Sequence, residues 1–437
     1  MPISDMYREI RSHWILLTTI MLIVFLFIGI PRRSMITAAK DDYPELTEHI
    51  FLPLTLGGSA PPDPNPSPPP PALGDYVVIG WNDLGMHCYN PEFKDLAVLP
   101  PFNSLWAQVI LRGDPPQIVT QDISVFYSFP DNTYSVGKSD FWEYDVQLFG
   151  VDLPANVGLT GNGLSGLMDR HDDHFVAEGI PLTEYNDGDH TTRVPYQLAE
   201  VIVRDNTGTE LTRNQVVAPI STEMHCEYCH FDGAFDVSTG KVETNILTLH
   251  DNENLDEYPV GHEEPLMNRR PVLCAECHAS NALAAPGLPG IPNFSKAMHE
   301  EHDGEVPDST QGCYNCHPGP DTKCLRDVMS SEYNMGCTDC HGGMHEVSTN
   351  PNPWLNEPRC DDCHTEPQYA QNHDLFRLSI GHGGLYCEAC HDSTHAIATS
   401  SEPLDGIKFV NLQGHAGTLQ TCTVCHLTDP GGDTPHP

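Results

Sequence analysis

Hydrophobic positions fall into three regimes along the chain. Residues Trp14 to Ile30 form an apolar run of 17 residues, diluted only by Thr18, Thr19 and Gly29. That length is at the short limit of a membrane span and above a usual signal-peptide core. Arg8 and Arg11 precede the run, offset by Asp5 and Glu9, and Arg32 and Arg33 come after it, so the flanking charges leave its orientation open. Thr37-Ala38-Ala39 offers a small-residue cleavage site beyond the run. An uncleaved anchor is favoured, and a cleaved signal stays open. The proline tract from Pro61 to Pro71 forms neither helix nor sheet; it reads as an extended spacer of about 3 Å per residue.

The second regime is β-structure. Tyr76-Val77-Val78-Ile79, Trp106-Ala107-Gln108-Val109-Ile110, Ile123-Ser124-Val125-Phe126-Tyr127 and Leu198-Ala199-Glu200-Val201-Ile202-Val203 are short, β-branched or aromatic, and partly alternating. Asp205-Asn206-Thr207-Gly208 is a turn signal leading to Gln215-Val216-Val217. The spacing predicts a small all-β, sandwich-like domain over residues 75–220. The polar stretch Asp169-Arg170-His171-Asp172-Asp173-His174 reads as a solvated loop before it reads as a metal site.

In the third regime the apolar periodicity fades and cysteine takes over. Cys-x-x-Cys-His occurs seven times: Cys226-Cys229-His230, Cys274-Cys277-His278, Cys313-Cys316-His317, Cys337-Cys340-His341, Cys360-Cys363-His364, Cys387-Cys390-His391 and Cys422-Cys425-His426. These use 14 of the 16 cysteines, leaving Cys88 and Cys324. The pattern is the attachment motif of c-type haem. One helical turn presents both thiols to the two vinyl groups of a porphyrin, and the next imidazole reaches the iron from the same side. Structural zinc also uses Cys-x-x-Cys pairs but gives no reason for a histidine after every one. With 24 histidines in 437 residues, seven such coincidences have a probability on the order of 10⁻⁹. The seven motifs share 201 residues, about 29 each. So little polypeptide per cofactor predicts a haem-organised domain over residues 221–437, with short helices and mostly irregular loops. The expected fold is thus a membrane or signal segment (1–40), a Pro-rich linker (41–74), the β-rich domain (75–220) and this heptahaem domain.

Charge sharpens the partner classes. Lys+Arg is 21 against Asp+Glu 61, a formal charge of −40, which repels nucleic acid and anionic lipid. Cationic redox partner proteins or metal ions suit such a surface; acidity that simply maintains solubility accounts for it as well.

On these motifs the chain resembles the extracytoplasmic multihaem c-type cytochromes found in metal-respiring microbes. The likeness extends to Trp81-Asn82-Asp83-Leu84-Gly85-Met86-His87-Cys88, Ser221-Thr222-Glu223-Met224, Met298-His299-Glu300-Glu301-His302 and Leu412-Gln413-Gly414-His415-Ala416-Gly417. It implies seven haem c groups, a location in the periplasm or at the cell surface, and redox partners or an extracellular electron acceptor. The membrane would be a further partner if the N-terminal segment is retained. Each iron then needs a sixth ligand. His87, His250, His299, His302, His382, His395 and His415 are the favoured candidates, with His345 and His373 in reserve; His225 is too close to its own attachment turn. Saturated bis-histidine coordination points to an electron carrier and away from an enzyme. Two alternatives remain: a reductase with one open haem acting on a small oxyanion or nitrogen compound, and a self-assembling haem filament. The two leftover cysteines, Cys88 and Cys324, invite a disulfide that would clip the β-half to the haem half.

Overall fold

The computed structural model describes residues 73–355 and 357–431; the expected anchor and nearly all of the proline linker lie outside them. Among the described residues no helix is long and apolar enough to cross a membrane. Twelve strands are named in chain order: β1 (Tyr76–Trp81), β2 (His87–Cys88), β3 (Leu96–Ala97), β4 (Asn103–Leu111), β5 (Gln117–Ile118), β6 (Ile123–Ser128), β7 (Ser165–Leu167), β8 (Asp169–Arg170), β9 (Phe175–Ile180), β10 (Tyr196–Asp205), β11 (Glu210–Ser221) and β12 (Val272–Leu273). The first sheet is antiparallel, ordered β1-β4-β9-β8, with β5 added on β4. The second runs β2-β11-β10-β6-β7, antiparallel except for the parallel β2–β11 pair.

Side chains alternate across a strand with period two, and here both faces of the first sheet are used. Val78 of β1 and Leu105, Ala107 and Val109 of β4 meet Val125, Tyr127, Val201, Val203, Val216 and Ala218 of the second sheet. The opposite face carries Val77, Ile79, Trp81 and Ile110, with Trp106 beside them. It is covered by Leu385, Tyr386, Ala389, Phe409, Leu412, Leu419 and Val424 from the C-terminal segment. A strand buried on both faces reads as a continuous apolar run, as Val77-Val78-Ile79 does. Each side chain so buried contributes about 1.5–3 kcal/mol.

Among the helices are α1 (Phe141–Phe149), α2 (Val242–Asn254), α3 (Phe294–Glu301), α4 (Cys387–His391) and α5 (Ile407–Gln413). Asn293 caps α3, its side chain accepting from the Lys296 amide at 2.8 Å. Gln108 of β4 reaches into the C-terminal segment, donating to the Gly384 carbonyl at 3.1 Å and accepting from the Tyr386 amide at 3.0 Å. At the other end of the first sheet, β3 and β12 pair in parallel, and Leu96 and Val272 close a small core with Leu247 of α2.

This architecture corrects the fold class expected from the sequence. The described chain is built on two five-stranded sheets, not on a small sandwich followed by a loop-and-helix cytochrome domain organised by haem alone, and it shows no membrane helix. The physical reason lies in the residue-per-cofactor arithmetic, which counted only residues 221–437 as a source of core for that segment and so left haem to organise it. The first sheet supplies it: the last two Cys-x-x-Cys-His motifs sit on ordinary apolar packing against β1 and β4, with Cys390 and Cys425 against the same cluster.

Candidate functional site

Every one of the seven motifs folds as a single helical turn. The histidine amide donates to the carbonyl of the first cysteine in His230→Cys226 (2.8 Å), His278→Cys274 (3.0 Å), His317→Cys313 (2.9 Å), His364→Cys360 (2.8 Å) and His426→Cys422 (2.9 Å). Cys337–His341 and Cys387–His391 are short α-helices outright. Residues i, i+3 and i+4 lie on one helical face, so both thiols and the imidazole of each motif point the same way. None of the sixteen cysteines is paired in a disulfide.

A second imidazole faces five of the motif histidines. Ring centroids are 6.3 Å apart for His230 and His302, 6.3 Å for His278 and His250, and 6.1 Å for His317 and His299. They are 6.1 Å apart for His341 and His395 and 6.2 Å for His426 and His382. These separations are wider than face-to-face contact between rings would give. With metal–nitrogen bonds of about 2.0 Å and ring radii of roughly 1.1 Å, two imidazoles on opposite sides of one metal would have centroids about 6.2 Å apart. The spacing fits an iron between each pair, and the two thiols beside it fit covalent attachment of the porphyrin.

The far ring nitrogens are held so that Nε2 is left for a metal. Nδ1 of His299 and His302 donates to the carbonyls of Ser295 (2.6 Å) and Met298 (2.7 Å), one turn back in α3. His278 Nδ1 lies 2.9 Å from the Pro292 carbonyl and His230 Nδ1 3.1 Å from Asn245 Oδ1. His250 Nδ1 is 2.8 Å from the Tyr258 hydroxyl, which itself donates to Asp251 at 2.7 Å. An acceptor on one nitrogen fixes the tautomer and orients the ring, the usual support of a metal-bound histidine. His317 is exposed by surface area, yet its ring is crowded by neighbouring side chains. Desolvation, with the His299 and His341 rings nearby, depresses it to about 4. Desolvation and His341 bring His395 to about 4 as well. Both are neutral near pH 7, the state that ligates.

The remaining candidates sit differently. His87 is buried on β2, its Nε2 3.2 Å from Asp83 Oδ1 and 3.3 Å from Ser104 Oγ, and its ring stacks on Phe102. His415 is half-buried beyond α5, with Nδ1 2.9 Å from the Ala416 carbonyl. His345 is exposed and paired with Asp303 at 2.8 Å; His373 accepts from the Leu375 amide at 3.1 Å. His225 lies 3.1 Å from both Glu223 and Glu227, whose pull outweighs desolvation and raises its pKa. In the Asp169–His174 stretch, His174 is buried, with its ring stacked on Trp106 at 4.6 Å and on His171 at 4.7 Å. Among the described residues no three or more His, Cys, Asp or Glu side chains converge as a metal-ion cage.

Cys88 and Cys324 are drawn together but unbonded. Burial, with Cys324 nearby, pushes the Cys88 thiol up to about 12. Sequence reasoning passed over the supporting residues Asn245, Tyr258 and Asp251, because a lone Asn or Tyr fifteen or so residues from a motif carries no local signal of its role. The i, i+3 spacing of His299 and His302 was the one available cue, since it puts both on one side of a helix. No family model, no curated protein and no solved structure matches this chain.

Proposed function

We propose that the chain is an electron-transfer protein carrying seven covalently attached c-type haems. The observation that carries this reading is the set of five motif histidines, each facing a second imidazole at 6.1–6.3 Å, the spacing of a trans pair on one metal. When bound, each haem supplies one-electron chemistry at iron. The chain's own residues do the rest. The cysteine pairs would hold each porphyrin, and the motif histidines would ligate its iron. At the five paired sites the second histidine would complete the coordination and leave no exchangeable position for substrate chemistry. The Nδ1 acceptors, Asn245, Tyr258 and the α3 carbonyls, hold the rings in register. The reading puts the chain outside the cytoplasm, where the cytochromes it resembles acquire their haem. There it would take single electrons from a reduced redox partner and deliver them to an oxidised one, or to an extracellular acceptor.

The test is haem content and spin state. Pyridine haemochrome assay with intact mass should give seven haems per chain, all low-spin by electron paramagnetic resonance. His302→Ala should turn one of the seven high-spin. Fewer than six haems from a host competent in maturation, or an unchanged spectrum for His302→Ala, defeats the reading.

A further inference from the structure

Resting on that reading, we infer that the seven attachment motifs form one unbranched file in the spatial order second, first, third, fourth, fifth, sixth, seventh, so that the motifs of His278 and His426 are the two ends of the electron route. The order departs from chain order at its start, and two helices impose the departure. On α2, Asn245 holds His230 of the first motif at 3.1 Å while His250 faces His278 of the second at 6.3 Å. At the C-cap of α3, His302 faces His230 of the first motif, and one turn earlier on the helix His299 faces His317 of the third. Three residues along a helix are neighbours on one side, so α3 sets the first and third motifs next to each other. The second motif meets only the start of that helix, where Phe294 lies 6.2 Å from His278. The first motif therefore stands between the second and the third. A backbone bond from the His225 amide to the Asn315 carbonyl, 3.1 Å, joins the first and third directly.

From the third motif onward the file keeps to chain order. The Cys337 amide of the fourth donates to Thr310 Oγ1, in the turn that opens the third, at 3.2 Å. The sixth and seventh share the core under β1 and β4, and the Leu419 amide donates to the Cys390 carbonyl at 2.9 Å. Only 18 residues separate His341 of the fourth motif from Cys360 of the fifth, the shortest such gap in the chain. One loop joins the fifth to the sixth: the Cys360 amide donates to Gln371 Oε1 at 3.1 Å, Gln371 Nε2 and Ser379 Oγ donate to the His373 carbonyl at 2.8 and 3.3 Å, and the Cys387 amide donates to the Ser379 carbonyl at 3.0 Å.

The two ends are held apart by one strand. The second motif comes directly after β12, which pairs with β3, six residues before β4 begins. The seventh is fastened just past the other end of β4, where the Gly113 amide donates to the Cys425 carbonyl at 3.2 Å and Asp114 lies 3.5 Å from His426. The nine residues of this extended strand span on the order of 30 Å. The order thus gives electrons an entrance and an exit at opposite ends of the sheet.

Anomalous X-ray scattering at the iron edge, on crystals of the full haem-loaded chain, tests this without any variant. The expected result is seven iron peaks in one file, with the iron at His278 next only to the iron at His230, and the iron at His426 last. Seven peaks in which the iron at His230 is terminal, or the iron at His278 lies beside that at His317, overturn the order while leaving the haem reading intact. Absent iron peaks overturn the haem reading, and the order with it.

Discussion

Arg326 is the residue whose loss should be felt furthest from its own position. Its guanidinium is buried, with Nε and Nη2 donating to Asp405 at 2.6 and 3.0 Å. Nη1 donates to the Cys324 carbonyl at 3.0 Å and Nη2 to the Gly85 carbonyl at 2.8 Å. Its main chain holds two further segments: the amide donates to the His395 carbonyl at 2.9 Å, and the carbonyl accepts from Ser401 at 2.8 Å. Arg326→Ala leaves the Asp405 carboxylate buried and uncompensated, a loss that costs about 3–5 kcal/mol. Over the roughly 360 described residues, an unfolding entropy of about 2.1 cal/mol/K per residue amounts to about 0.75 kcal/mol/K, so Tm should fall by about 4–7 °C.

Calorimetry on the haem-loaded protein measures that fall. Arg326→Met combined with Asp405→Leu removes both charges together and should recover most of it, because a buried pair exchanged for apolar residues is often neutral. The single variant should also broaden the low-spin signal of the haem held by His341 and His395, since the backbone that anchors His395 loosens. A Tm within about 1 °C of the parent for Arg326→Ala, which corresponds to under about 1 kcal/mol, would refute the reasoning. It would mean that water reaches Asp405 once the guanidinium is gone.

Gly85 sits at φ +74°, and a Cβ there would collide with the Thr394 carbonyl oxygen, so Gly85→Ala should destabilise by at least about 1–3 kcal/mol; a Tm equal to the parent's would show that the two loops separate freely. Cys88 and Cys324 are half-buried thiols, and desolvation with Cys324 nearby raises Cys88 to about 12; both should react slowly with iodoacetamide in the native protein and fully in denaturant, whereas a bridged peptide in a non-reducing map would show them bonded. Desolvation would raise Asp95, but Lys241 at 2.5 Å and Arg270 at 2.9 Å outweigh it and hold the carboxyl below its usual range. The stability this lends is present above the ordinary carboxylate pKa of about 3.9 and lost as pH falls below it, so Asp95→Asn should destabilise at neutral pH and flatten the acid limb of a Tm–pH profile; parallel profiles would exclude the linkage.

What was legible in the sequence was local. The strands read from apolar runs appear as β1, β4, β6, β10 and β11, and the turn at Asp205 forms with its carboxylate accepting from the Thr207 and Thr209 amides. The helical turn of each motif results from its own spacing. What was not legible was which second surface an apolar strand covers. Val77, Ile79 and Trp81 look the same whether their outer face meets solvent, a membrane or another part of the chain. Only the fold brings Phe409 and Leu412 against them, more than 300 residues later. Nor does the sequence say which histidine meets which motif. His302 lies closer in sequence to the third motif than to the first, yet it faces His230, because α3 lies across both sites.

On the electron-transfer reading, this division of labour would let so short a segment carry seven haem-attachment motifs. A haem pocket needs two imidazoles at fixed separation, and a loop alone would lose too much conformational entropy in holding them there. The chain solves this by making each ligand part of something already rigid. His299 and His302 ride on a capped helix, His250 on α2, and His395 on a loop pinned by Arg326. His382 lies just ahead of Leu385 and Tyr386, which pack on the first sheet. The sheets are therefore not a separate module beside the attachment sites. The first sheet is the rigid body against which the last two motifs are set, and its removal should leave His382 and His426 unable to hold their 6.2 Å spacing.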